Sequence, residues 1–109
     1  MASNRYNFTK KAETDIDEVI EYIAVSLCNP QAANDLLDEI EKAIGNALAF
    51  PEMYQFLDNE LVNSEGLRKI NVGNYVLLYL YDQNNSIITI LRFVYGRRNL
   101  ERLLSELLK

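Results

Sequence analysis

Residues 67–99 read LRKINVGNYVLLYLYDQNNSIITILRFVYGRRN, and this stretch decides the fold. It holds three runs rich in β-branched and aromatic residues, Leu67–Val72, Tyr75–Asp82 and Ile87–Tyr95. Gly73-Asn74 separates the first two and Gln83–Ser86 the last two. Runs of this composition, bounded by residues that tolerate positive φ, predict strands. A two-residue Gly-Asn connection is a hairpin signal, because primed turns match the right-handed twist of paired strands. The stretch therefore predicts a three-stranded antiparallel meander. It ends in a tight basic turn, Gly96-Arg97-Arg98-Asn99, that presents two guanidinium groups.

On the N-terminal side, Tyr6-Asn7-Phe8 is a short candidate strand and Thr9 a candidate N-cap. Ala12, Ile16, Val19, Ile20, Ile23, Ala24 and Leu27 then recur at helical spacing, which predicts an amphipathic helix over residues 10–28. Tyr22 reads either as an interaction residue or, as the better explanation, as the core edge of this helix. Glu13, Asp15, Asp17, Glu18 and Glu21 lie on the other face, where a solvated surface explains them better than acid–base chemistry. Asn29-Pro30 restarts a helix, since Asn caps and proline at the first helical position loses no needed N–H. Ala33, Leu36, Leu37, Ile40, Ile44, Ala47 and Leu48 give this second helix its apolar face, and Pro51 stops it. The short connection makes the two an antiparallel hairpin. Residues 51–66 lack a clean period and read as an ordered loop over the sheet edge. After the meander, Leu100, Leu103, Leu104, Leu107 and Leu108 predict a short C-terminal helix capped by Asn99. The expected fold is α+β in the order β-α-α-β-β-β-α. A small antiparallel sheet is packed by the N-terminal helix hairpin, with a short C-terminal helix.

Strand alternation sorts the meander into two faces, with the register of the second hairpin open by one residue, a slip that would flip the last strand. One carries Arg68, Ile70, Val72, Tyr75, Leu77, Tyr79, Tyr81, Ile88, Ile90, Arg92 and Val94. The other carries Leu67, Lys69, Asn71, Val76, Leu78, Leu80, Ile87, Thr89, Leu91 and Phe93. Both are largely apolar, whereas a half-buried antiparallel sheet normally has one polar face. The helix hairpin covers one. The C-terminal leucine helix, a partner chain, or both must cover the other.

At 109 residues the chain is expected to form one domain, residues 1–109. No apolar run reaches the roughly 18 residues of a membrane span, and residues 1–11 lack the apolar middle of a secretory signal, so the cytoplasm is the expected location. Cys28 is the single cysteine and there is no histidine, which removes the commonest general base and metal ligand. Any catalysis falls to Arg, Lys, Tyr or carboxylates, and neither cofactor nor metal is expected. The net charge of −5 is split. Residues 1–66 hold four basic against thirteen acidic residues, a net −9, and residues 67–109 hold seven against three, a net +4. Either the strand half faces an anion or the two halves neutralise each other in the fold. A nucleic-acid binder is usually basic throughout its domain.

The ordered set of local patterns resembles the RelE/ParE toxin superfamily of bacterial type II toxin–antitoxin modules. The pieces are Phe8-Thr9 with Ala12 and Asp15-Ile16 into Tyr22-Ile23, then Asn29-Pro30-Gln31-Ala32-Ala33, then Phe50-Pro51. Leu67-Arg68-Lys69-Ile70, Tyr75-Val76-Leu77-Leu78-Tyr79, Ile90-Leu91-Arg92-Phe93-Val94 and Tyr95-Gly96-Arg97-Arg98 complete the set. The resemblance implies a toxin neutralised by a cognate antitoxin, with growth inhibition and plasmid stabilisation as outcomes and operator DNA contacted only through the antitoxin. It divides the target. ParE-like members inhibit DNA gyrase, and RelE-like members cleave ribosome-bound mRNA. Cleavage needs cations for the developing phosphorane charge and groups that move protons. The positions that match the basic strand residues of cleaving members are Leu67, Lys69 and Val76. The turn position is Arg98 and the C-terminal position Leu104. Only Lys69 and Arg98 keep the chemistry. The expected reading is thus a ParE-like gyrase inhibitor. The alternatives are a metal-independent endoribonuclease using Lys69, Arg97, Arg98 and Tyr95, or a degenerate relative that only binds antitoxin. Arg68 and Arg92 are expected to support the acidic hairpin.

Overall fold

The computed structural model describes residues 5–52 and 67–107, with the backbone alone at positions 97, 98, 104, 106 and 107. The elements are β1 (Arg5–Phe8), α1 (Lys10–Glu21), a π-helical turn (Tyr22–Ser26) and α2 (Pro30–Ala49). Then come β2 (Arg68–Val72), β3 (Tyr75–Asp82), β4 (Ile87–Tyr95) and α3 (Gly96–Leu107). This is the expected α+β order. Of the expected loop over residues 51–66, positions 53–66 lie outside the described residues.

Local chemistry sets most boundaries. The Thr9 side chain accepts the Ala12 amide at 3.0 Å and opens α1. The Asn29 side chain accepts the Ala32 amide at 3.1 Å and opens α2, with Pro30 in its first turn. Gly73, at φ +60, takes the first central position of the two-residue hairpin turn, as expected for a primed turn. The expected turn over residues 96–99 is instead the first turn of α3. Gly96, at φ +76, lets the chain leave the strand directly into the helix, and its amide donates to the Asn74 carbonyl at 2.9 Å. Asn99 is therefore inside α3 rather than its cap, and its side-chain amide donates to the Tyr95 carbonyl.

The sheet has four strands in the order β1-β4-β3-β2. The meander is antiparallel as expected, but β1 joins it parallel to β4, so the sheet is mixed. β1 pairs with β4 only as far as Ile90. At that level β4 carries one extra residue, for Leu78 faces Arg92 and Tyr79 faces Ile90, with Leu91 between. The bulge moves the later residues of β4 to the opposite face. Phe93 packs with Ile88, Ile90, Leu77 and Tyr79 against α1 and α2, while Leu91 and Val94 pack with Leu67, Val76 and Leu78. The faces expected for Phe93 and Val94 are exchanged.

The backbone groups displaced by the bulge find their partners on α1 and its cap. The Thr9 amide donates to the Ile90 carbonyl at 3.0 Å, and the Thr9 hydroxyl donates to the Leu91 carbonyl at 2.7 Å. Asp15 Oδ2 accepts the Phe93 amide at 3.0 Å and Arg92 Nε at 2.7 Å, while Oδ1 accepts Arg92 Nη2 at 3.0 Å. This bidentate pair is the structural role expected for Arg92.

Two apolar layers result. The larger lies between the sheet and the helix hairpin, around Tyr79, Leu77, Ile88, Ile90, Ile40 and Ile44. The smaller puts Leu100 and Leu103 of α3 over Leu67, Val76 and Leu78. The second sheet face is thus covered at least in part by the chain's own leucine helix, and Leu80, Leu91 and Val94 stay half-buried at its margin.

This packing has two testable consequences. Asp15→Ala should remove about 2 kcal/mol of stability, because one carboxylate satisfies both a guanidinium and a backbone amide. A urea midpoint within error of wild type would show the lock to be dispensable. Conversely, Gly45 sits in the middle of α2 where an added Cβ meets nothing within 4 Å. Gly45→Ala should raise stability by up to about 1 kcal/mol, read as a higher melting temperature.

Candidate functional site

The sequence-derived candidates divide between two surfaces. Lys69 lies on edge strand β2 and lines an open cleft of about 560 Å³ with Lys42, Glu39 and Asn46 of α2 and with Asn71. Two cations and one carboxylate leave this cleft mildly basic. Arg68, the neighbouring candidate, donates to the Glu52 carbonyl at 3.3 Å. Arg97 and Arg98 contribute backbone to the first turn of α3, and their side chains lie outside the described residues.

Tyr95 is elsewhere. It ends β4 opposite Tyr75, whereas Lys69 pairs with Leu78. Three residues along β3 and two strand spacings separate them, about 10 Å in each direction. The structure therefore does not bring Lys69 and Tyr95 to one site. Leu67 and Val76, which match basic positions of cleaving toxins, are 6% and 8% exposed under α3. They are core residues, packed with Leu78, Leu100 and Leu103.

The surface that the sequence did not disclose surrounds Tyr95. Tyr75 stacks on Phe93 at 4.9 Å between ring centroids and meets the Tyr95 ring edge-on at 5.1 Å. Across from them the end of α1 delivers Tyr22 and the π turn delivers Leu27, and Glu18 stands one helical turn before Tyr22. Together they line a groove of about 680 Å³ with Val19, Ile23, Asn29 and Ala32. Tyr22, expected at the edge of the core, is 56% exposed, as is Tyr95, and Leu27 is 55% exposed. Tyr22 still follows the regular course of α1, its amide donating to the Glu18 carbonyl, whereas Leu27 is placed by the π turn. The Leu27 amide bonds five residues back, to the Tyr22 carbonyl at 3.0 Å, so the chain takes one residue more than an α-turn would. No sequence signal marks it, since Tyr22–Ser26 contains neither Gly nor Pro. Among the described residues no group of His, Cys, Asp and Glu could hold a metal ion.

Comparison with known proteins places this geometry. The family model described as ParE toxin of type II toxin–antitoxin system, parDE, matches residues 6–100. Among solved structures, the chromosomal ParDE system from P. aeruginosa superposes with a TM-score of 0.68 at 18% identity, covering 87% of this chain and 98% of that one. The toxin–antitoxin complex RelBE2 from Mycobacterium tuberculosis gives 0.60 at 23% identity, covering 86% and 99%. The isolated E. coli RelE toxin gives 0.60 at 12% identity, covering 98% and 100%. No curated protein matches the chain in sequence.

The groove makes a prediction of its own. Burial, with the phenols of Tyr95 and Tyr22 alongside, pushes the Tyr75 phenol above the ordinary tyrosine value of 10.0. The neutral phenol is thus the form the fold favours. Its stabilisation is complete below pH 10 and is lost as the pH rises from there through the raised value. In an absorbance titration of the folded protein, the Tyr75 phenol should ionise later than free tyrosine, and Tyr75→Phe should lower the late-titrating absorbance by one phenol's worth.

Proposed function

The chain belongs to the ParE toxin family of type II toxin–antitoxin systems, and on that premise we propose that a cognate antitoxin holds it inactive and that it acts by binding and inhibiting DNA gyrase. The observation that carries the choice of target is the burial of Leu67 and Val76 under Leu100 and Leu103. Cleaving an RNA backbone asks for several cations converging on one phosphate, with a proton donor and acceptor beside them. On the sheet, Lys69 alone of the matched strand positions supplies a charge. It is a point charge without the paired geometry of a guanidinium, and Tyr95 is too distant to serve it. The net charge of −5 adds little attraction for ribosome or mRNA. Binding a protein asks instead for a shaped apolar surface with a charged rim, which the helix hairpin end offers.

The proposed setting is the cytoplasm, and operator DNA is reached only through the antitoxin. Among the described residues no helix is long and apolar enough to cross a membrane. The second reading, ribosome-dependent mRNA cleavage by Lys69, Arg97 and Arg98, draws support from the Lys42–Lys69 cleft on the β2 edge.

Induction without antitoxin should alter plasmid supercoiling while leaving ribosome-bound mRNA intact, and Lys69→Ala should leave growth arrest unchanged. Cleavage of ribosome-bound mRNA by purified protein, reduced about 10²-fold in Lys69→Ala or Arg98→Ala, would replace the gyrase reading with the second. Neither effect, in cells that make the folded protein, would leave a degenerate antitoxin-binding relative.

A further inference from the structure

The groove beside the π turn has a chemistry that selects its occupant. Its walls are aromatic and aliphatic. Among the described residues its one charged lining side chain is Glu18, and none is cationic. Tyr75 is fixed by Phe93 and Tyr95, so at least one wall is rigid before anything binds. Glu21 and Asp17, both exposed, add negative charge to the same helix outside the groove. A tyrosine face attracts a cation through its quadrupole, and several faces with a carboxylate make a receptor for one. A nucleic acid is disfavoured here, since its phosphates would meet Glu18 with no cation among the described lining residues to hold them. A wholly apolar segment would fill Leu27 and Ile23 but leave the carboxylate unanswered. The volume of about 680 Å³ admits a long side chain together with the segment that carries it.

We propose that this groove is the receptor for an arginine side chain of the antitoxin. The guanidinium lies against the rings of Tyr22 and Tyr95 and donates to the Glu18 carboxylate. An apolar neighbour on the same antitoxin segment packs on Leu27 and Ile23. Arginine fits better than lysine because a planar guanidinium both stacks on a ring and donates two parallel hydrogen bonds to one carboxylate. Tyrosine and arginine are also the residues that most often carry binding energy at protein interfaces. The proposal rests on the antitoxin reading above and adds to it the site and the chemistry recognised.

The test is titration of the purified toxin with its cognate antitoxin, across variants of exposed positions that bury little. Tyr22→Ala should weaken binding by about tenfold or more, Glu18→Gln by about three- to tenfold, and Tyr22→Phe, which keeps the ring, by less than about twofold. Substituting each antitoxin arginine in turn by alanine should reveal one whose loss is not additive with Glu18→Gln. Wild-type affinity in Tyr22→Ala and Glu18→Gln, with the wild-type complex intact, would overturn the groove assignment and leave the antitoxin reading standing. Failure of the wild-type toxin to bind the antitoxin at all would overturn both. Wild-type toxin that self-associates, and loses this in Tyr22→Ala without loss of antitoxin affinity, would assign the groove to a second copy of the chain and overturn the proposal.

Discussion

One carboxylate, that of Asp15, ties three parts of the molecule together. It accepts the Arg92 guanidinium through both oxygens and the Phe93 amide through one. It does so where β1 has stopped pairing and β4 has taken an extra residue. A strand that outruns its neighbour and bulges presents amide and carbonyl groups that no ladder can satisfy. Left unpaired against a packed helix, each would cost more than a made hydrogen bond contributes. Thr9 and Asp15 meet that requirement from the cap and second turn of α1, so the bulge and the seat of α1 depend on each other. The larger core is a consequence, because the bulge is what turns Phe93 inward beneath Tyr75.

Elements set by neighbouring residues were legible in the sequence. The two N-caps, both hairpin turns, the amphipathic helices and the three meander strands all rest on interactions within a few residues. What rests on distant partners was not legible. A period-two reading passes over an inserted residue when both faces are apolar, and Leu91-Arg92-Phe93-Val94 looks equally good in either register. Arg92 was the visible clue, a cation in an apolar strand whose partner, Asp15, lies 77 residues away. The parallel attachment of β1 is a pairing across almost the whole chain. The basic turn became the first turn of a helix because Gly96, at positive φ, needs no loop between strand and helix.

The opposite charges of the two halves answer each other in part. Arg92 is spent on Asp15, and Arg68 reaches the backbone of Glu52. Lys69 shares its cleft with Glu39 as well as Lys42. The positive excess of residues 67–109 is thus partly consumed inside the fold, and less of it is left to face an anion than a count of residues implies. The matched strand positions also divide by burial. Leu67 and Val76 are core under α3, and Lys69 stands at the edge of the sheet.

The exposed tyrosine and leucine at the hairpin end have different geometric origins, regular helix for Tyr22 and a π turn for Leu27. In a regular α-helix Leu27 comes four residues after Ile23 and would continue its apolar stripe. The i→i−5 turn inserts one residue, which rotates the next residues by about 100° and carries Leu27 off the stripe. Cys28 then takes a positive φ of 50° to reverse the chain into Asn29 and α2. Leu27, the C-cap of the π turn, remains exposed beside Ile23. The end of α1 sets Tyr22 and the π turn sets Leu27 across from Tyr75 and Tyr95, and a groove lies between helix hairpin and sheet. Glu18 precedes the distortion, so its position on the helix is that of an ordinary α-turn, one turn from Tyr22. The carboxylate and Tyr22 are therefore placed by regular helix geometry and Leu27 by the departure from it. Both are needed for a surface that is apolar and anionic at once.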